Sequence, residues 1–187
     1  MEDDWVANRK RLEQGTSRNP IERASEHFIL AYRDYMDDVY RFHLSRVGDV
    51  QDAQDLTSET FQAAFEAFPH YRIELGTLKS WLFGIAHHKQ VDYFRKRHRR
   101  NENENATISE SLAAPGEELN CDAYEIECVI KTIRNLTPDR AEAVALHFLA
   151  DLSLNEVALV MEKSYENAKK LVQRGLQDVR RMLESMR

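Results

Sequence analysis

The sequence predicts an all-α fold of two small helical domains joined by a flexible acidic linker. Three observations carry that expectation. The 187 residues include only 6 glycines and 4 prolines, too few breakers for a many-stranded, turn-rich fold. Apolar residues recur at spacings of three and four in both halves, the period of a helix rather than a strand. Between the halves, Asn101 to Tyr124 holds no Lys or Arg and is rich in Asn, Glu and Ser around Ala114-Pro115-Gly116. That composition describes a linker. Its residues would span roughly 27 Å as a free coil and about 80 Å extended, so the domains could sit apart.

Residues 1–24 are polar beyond Trp5, Val6 and Leu12 and are expected to form a loosely held extension. The first domain covers 25–100. Phe28, Ala31, Tyr35, Val39 and Phe42 outline its first amphipathic helix. Val47-Gly48-Asp49 turns the chain, and Asp52 and Asp55 open a second helix at its positive end. That helix carries Leu56, Phe61, Ala64, Phe65 and Phe68 until Pro69 stops it. A loop from His70 to Leu78 precedes a third helix with Trp81, Leu82, Ile85, Ala86, Val91 and Phe94, ending in the basic run Arg95-Lys-Arg-His-Arg-Arg100.

The second domain covers 125–187. Thr137-Pro138 reads as an N-cap followed by proline at the first helical position, and the helix behind it is expected to bury Val144 and Phe148. Ser153-Leu-Asn-Glu156 is a capping box that starts a short helix to about Met161. Glu162-Lys163-Ser164 makes a tight turn, with Ser164 as the next cap. A long final helix turns Ala168, Leu171, Val172, Leu176, Val179 and Leu183 inward. Short helix, tight turn and long basic helix together read as a helix-turn-helix.

Composition narrows function. With 42% apolar and 31% charged residues, the balance is that of a soluble globular chain, and a cytoplasmic protein is expected. No apolar run approaches the ~20 residues that cross a bilayer, and the start MEDDWVANRKR does not read as a secretory signal. Cys121 and Cys128 can neither frame a disulfide scaffold nor fill a four-ligand zinc site, so both are expected free. His87, His88 and Asp92 do not complete a metal site, because adjacent histidines on a helix point about 100° apart. No catalytic role, metal or cofactor is expected.

The net charge of −6 is unevenly spread. Basic patches at 95–100 and in the last helix interrupt an otherwise acidic chain, suggesting phosphate contacts, while the net balance opposes unaided nonspecific binding to nucleic acid. In the last helix Lys169, Lys170 and Arg174 would reach phosphates, and Gln173 or Asn167 could read a base edge. In the second helix Asp52, Asp55 and Glu59 share one stripe, readable as a solvated face or as a docking edge for a basic partner. From Tyr71-Arg72 through Lys79, Trp81 and Arg95 to Arg97, aromatics sit beside cations, as stacking on unpaired bases requires.

Residues 26–100 resemble region 2, and residues 125–184 region 4, of a bacterial RNA polymerase sigma factor of the extracytoplasmic function (ECF) subfamily of the sigma-70 family. The resemblance is carried by GDVQDAQDLTSETFQAAF, GTLKSWLFGIAHHKQVDYFRKR, LTPDRAEAVALHFLADLSLNEVALVM and SYENAKKLVQRGL, in that order. It implies a sigma region 2 helical bundle and a sigma region 4 helix-turn-helix. It also implies a protein that binds core polymerase and directs promoter recognition, melting and transcription initiation. Asp52, Asp55, Leu56 and Glu59 match the stretch that docks on the clamp helices of the largest subunit. Tyr71, Arg72, Lys79 and Trp81, with His87, His88, Lys89, Arg95 and Lys96, match the part that opens and holds the minus-ten element. Ser164, Tyr165, Asn167, Lys169, Lys170, Gln173 and Arg174 match the reader of the minus-thirty-five element, in a domain that also packs on the polymerase flap. The implied partners are core polymerase, promoter DNA and an anti-sigma factor, with no direct membrane insertion. The chain departs from the family pattern at Glu162 and Lys163, where a glycine and an apolar residue are common, and at His87 and His88, where arginine and asparagine are. A polymerase-independent helix-turn-helix regulator, or a sigma-like protein acting mainly through protein partners, are the alternatives.

Overall fold

Apolar residues on a helical period must bury one face of each helix, and here three such faces meet. The computed structural model describes residues 20–104 and 121–185. Helices α1 (Pro20–Val47), α2 (Val50–Ala67) and α3 (Leu78–Glu104) form the first domain, with 3₁₀ turns at Phe68–His70 and Ile73–Leu75 between α2 and α3. α1 thus begins at Pro20, inside the stretch expected to be an extension. Residues 1–19 and 105–120, which hold the rest of that extension and most of the linker, lie outside the described residues. Phe28, Val39 and Phe42 of α1 pack with Phe61 and Ala64 of α2 and with Leu82, Phe83 and Ala86 of α3. The rings meet edge to face, Phe28 on Phe61 at 6.3 Å and Phe42 on Phe83 at 5.6 Å between centroids. Each such buried side chain contributes about 1.5–3 kcal/mol.

A small polar cluster sits inside this core. The His43 ring is fully buried, with Nε2 3.0 Å from the Thr60 hydroxyl. That hydroxyl gives its single proton to the Leu56 carbonyl at 2.7 Å, so Nε2–H donates to Thr60. The Gln90 amide reaches Nδ1 at 3.4 Å. A neutral imidazole fits this set, and burial pushes the His43 pKa down to about 3. At the α1–α2 turn Gly48 takes a left-handed φ of 74°, and Asp49, unrecognised as a cap from sequence, accepts the Asp52 N–H at 2.9 Å.

The second domain comprises α4 (Cys121–Arg134), α5 (Pro138–Val144), α6 (Leu154–Val160) and α7 (Tyr165–Ser185). α4 starts at Cys121, before the expected boundary near Glu125, and buries Ile130 and Ile133. Thr137 caps α5 through its backbone, with no side-chain bond. α5 then passes into a π turn, Ala145–Leu149. Phe148 lies inside this π turn, whose wider winding departs from the α-helical register that the apolar spacing assumes. It is 61% exposed, against the expectation that it is buried. On α7, Ala168, Val172 and Val179 are buried as expected. Gly175 lets α5 and α7 approach: a Cβ there would lie 2.4 Å from a Val144 methyl.

The two domains do not stand apart. α1 packs on α4 and on the π turn, and α3 packs on α6. One apolar cluster takes in Phe42 and Phe83 of the first domain with Ile133, Leu146 and Val157 of the second.

Candidate polymerase and nucleic-acid interfaces

Three surfaces carry the residues singled out by sequence. On α2, Asp55 and Glu59 are exposed and Asp52 is half-buried. Asp52 accepts the Tyr93 hydroxyl proton at 2.5 Å, and Arg97 donates to the same hydroxyl at 2.9 Å. Burial raises the Tyr93 pKa, and the bond to Asp52 adds to the rise. Gln51 donates to Asp55 at 3.0 Å, and the Lys89 ammonium lies 3.8 Å from Glu59. Leu56 differs from its three neighbours. At 4% exposure it packs with Val47 and Ala53 under Tyr40, Leu44, Tyr93 and Phe94, so it supports the stripe from beneath rather than presenting a surface.

The second surface runs from the α2–α3 connection along α3. Tyr71 stacks on Phe68 with a 14° interplanar angle and tilts against Trp81 at 5.1 Å. Its hydroxyl donates to the Gly76 carbonyl at 3.0 Å. Trp81 meets Phe68 edge-on at 6.2 Å. These rings form a half-buried aromatic nest, with exposed Arg72 beside it. Thr77 caps α3 by accepting the Ser80 N–H at 3.1 Å. Lys79 lies 3.7 Å from Asp38 and 4.0 Å from Asp151, with its ammonium over the Tyr35 ring at 5.7 Å. Burial raises the Asp38 pKa despite Lys79 and Arg41. Further along, His87 Nδ1 meets the Glu142 carboxylate. His88 is exposed, its Nδ1–H donating to the Gly84 carbonyl at 2.7 Å while Nε2 stands 4.0 Å from Glu162. Arg95 pairs loosely with Asp92 at 3.5 Å, and Lys96 is exposed.

The third surface is α6–turn–α7. The Ser153 capping box is complete: the Glu156 N–H reaches the Ser153 hydroxyl at 3.3 Å, and the Ser153 N–H reaches Glu156 at 2.9 Å. Glu162 adopts φ 52°, the left-handed conformation for which glycine is suited. The Lys163 ammonium lies 3.5 Å from Asp139 on α5, an ion pair where an apolar anchor is common in the family. The Asn167 N–H points to the Ser164 hydroxyl at 3.4 Å. Ser164, Tyr165, Asn167, Lys170, Gln173 and Arg174 are exposed, and the half-buried Lys169 lies 6.0 Å from the Tyr165 ring centre. Arg140 fastens α5 to α7 through a 2.6 Å bond to Asp178.

Sequence reasoning did not place Glu142, Asp151 and Glu156 against the first domain, although Glu156 was legible as part of a capping box. It also missed Arg46, which lies 5.8 Å from the Phe94 ring centre with a buried Nε that has no hydrogen-bond partner among the described residues. Burial lowers the Arg46 pKa while Glu142 and Asp139 act against the fall. No local pattern reveals such pairs, since their partners come from the other domain. Among the described residues there is no group of side chains able to hold a metal ion, and no helix is long and apolar enough to cross a membrane.

The family model of Sigma-70 region 2 matches residues 31–100, and that of Sigma-70, region 4 matches residues 126–179. ECF RNA polymerase sigma factor SigM of Bacillus subtilis is 33% identical over 147 residues, 78% of this chain and 88% of that protein. ECF RNA polymerase sigma factor BldN of Streptomyces coelicolor is 33% identical over 172 residues, 87% of this chain but 64% of BldN. Among solved structures, the sigma factor RpoE of Bartonella quintana, in complex with the anti-sigma factor NepR, superposes with a TM-score of 0.75 at 21% identity, over 86% of this chain and 98% of that one. At that identity the match speaks for the fold. With both regions matched in order and the SigM relationship spanning most of each chain, this protein belongs to the ECF group of sigma-70 family RNA polymerase sigma factors.

Proposed function

We propose that this chain binds core RNA polymerase and directs it to promoters, making no bond itself. The observation that supports this most is the order of three surfaces on one chain: an anionic stripe on α2, an aromatic and cationic strip along α3, and a helix-turn-helix with a polar, exposed α7 face. Asp55 and Glu59, with Asp52 behind them, form the docking edge for a basic polymerase surface. Opening a duplex costs a few kcal/mol per extruded base and needs a stacking surface to hold what is freed. Tyr71 and Trp81 supply that surface, and Arg72, Lys79, Lys89, Arg95 and Lys96 supply cations beside it. His87 and His88 replace the family's usual residues at the base-reading positions. On α7, Lys169, Lys170 and Arg174 contact phosphates while Asn167 and Gln173 read base edges of the minus-thirty-five element, with Ser164 and Tyr165 at the helix start.

An anti-sigma factor is the proposed inhibitory partner, because the sigma factor RpoE of Bartonella quintana was solved with the anti-sigma factor NepR. The expected site of action is the cytoplasm. The deciding experiment is run-off transcription with core polymerase and a promoter library. Discrete start sites that need both the chain and the core support the proposal; identical starts without the chain overturn it.

A further inference from the structure

We propose that Tyr93 is a positioning residue of the docking edge: its hydroxyl fixes the Asp52 carboxylate and stands between that carboxylate and the Arg97 guanidinium. This rests on the assignment of the α2 stripe to core polymerase. Lys89, Tyr93 and Arg97 follow one another at intervals of four on α3, so they form one row along a helix face. That row runs beside the acidic stripe of α2. Lys89 lies 3.8 Å from Glu59, and the Tyr93 hydroxyl donates to Asp52 Oδ2 at 2.5 Å across 41 residues of sequence. The edge is therefore built by two helices, with carboxylates from one and their supports from the other.

Burial fixes where the hydroxyl sits. The half-buried Tyr93 ring packs against Val47, Ala53 and Leu56 and meets Phe94 edge to face at 5.3 Å between centroids. Moving the ring would uncover that apolar cluster, so the hydroxyl keeps its place above the first turn of α2. Its single proton goes to Asp52, and Arg97 Nη1 donates to the same oxygen at 2.9 Å. Donation from a cation polarises the O–H bond toward Asp52, so each bond strengthens the other. Among the described residues no cation forms an ion pair with Asp52, and Arg97 reaches it only through the hydroxyl. A direct Arg97–Asp52 pair would use up the charge that the edge presents. With the tyrosine interposed, a carboxylate with about four acceptor positions gives up one and keeps the others for a basic partner. A carboxylate held in place also loses less side-chain freedom on docking than a loose one.

The test measures core-enzyme affinity of the fluorescently labelled full-length chain as wild type, Tyr93→Phe, Asp52→Asn and the double variant. A thermal melt of each is recorded, and affinities are read well below the lowest melting temperature. Tyr93→Phe keeps the ring and is expected to bind core enzyme about fivefold more weakly, whereas in the Asp52→Asn background the same change should leave affinity within about twofold. Adding Arg97→Gln to Tyr93→Phe is expected to recover part of the loss, because no guanidinium remains to close on Asp52. Unchanged affinity for Tyr93→Phe, an equal fall in both backgrounds, or no recovery with Arg97→Gln overturns the proposal; a ring that only fills the core would move the melting temperature alone. Asp55→Lys/Glu59→Lys is the reference for docking itself. Wild-type binding by that variant refutes the docking edge and this role with it, while weak binding there beside normal binding by Tyr93→Phe refutes only the role of Tyr93.

Discussion

Thr77 and Glu156, 79 residues apart, join the N-terminal ends of two helices in different domains through one 2.5 Å hydrogen bond. Thr77 caps α3 and Ser153 caps α6, and the Glu156 carboxylate serves both. Burial works to raise the Glu156 pKa, but the bonds from Thr77 and Ser153 and the charge of Lys79 together hold it below its ordinary value. Its stabilising share is whole above the ordinary value of 4.5 and is lost as pH falls through the lowered folded value. Ser153→Ala is expected to cost about 1 kcal/mol. Glu156→Ala is expected to cost about 2 kcal/mol, because it also strips the Thr77 hydroxyl of its acceptor. Urea unfolding midpoints give both numbers, and equal losses would argue that the bond between domains contributes nothing.

His43 makes the core sensitive to acid. Its folded pKa of about 3 lies below the ordinary 6.5, so the unfolded chain takes up a proton that the folded chain refuses. Stability from this residue is whole above pH 6.5 and declines as pH falls toward 3, by up to about 1.4 kcal/mol per pH unit. His43→Leu is expected to flatten the fall between about pH 6.5 and 5 even if it lowers stability at neutral pH. Denaturant titrations at several pH values give the two slopes. Parallel slopes would remove His43 as the cause.

Glu162 is strained by its left-handed backbone, and its partner His88 is exposed on the other side of a 4.0 Å gap. An exposed pair of this kind contributes little. Glu162→Gly should therefore raise stability by about 1 kcal/mol. A lower melting temperature in the variant would mean that the carboxylate holds the turn more firmly than its exposure indicates.

Docking on polymerase is best probed at Asp55 and Glu59, since Asp52 also holds Tyr93 in place. Asp55→Lys/Glu59→Lys is expected to weaken core-enzyme binding at least tenfold, a loss of about 1.4 kcal/mol or more, with an unchanged circular dichroism spectrum. Co-purification with core enzyme at wild-type yield would exclude the stripe as the docking edge. Asp52→Lys is expected to lower the melting temperature as well.

Local chemistry makes much of the fold legible in the sequence. The Ser153 capping box, proline at the start of α5 and the inward face of α7 all depend on neighbours within four residues. Phe148 escapes such a reading because a π turn leaves no mark in an apolar period. α1 and α4 both begin earlier than their patterns suggest, since a nucleated helix gains one backbone bond for each further residue it fixes. The family resemblance marks which residues form the candidate site. It does not mark their pairing, because the carboxylates that face His87 and Thr77 come from a domain beyond the linker, and a one-dimensional pattern carries no record of which distant surfaces meet.

The apolar cluster shared by α1, α3 and the second domain has a bearing on what opening entails. Parting the domains bares a greasy seam along their former junction, and water gives such a seam no refuge. Domain separation is thus disfavoured in water by the same burial that holds each domain together.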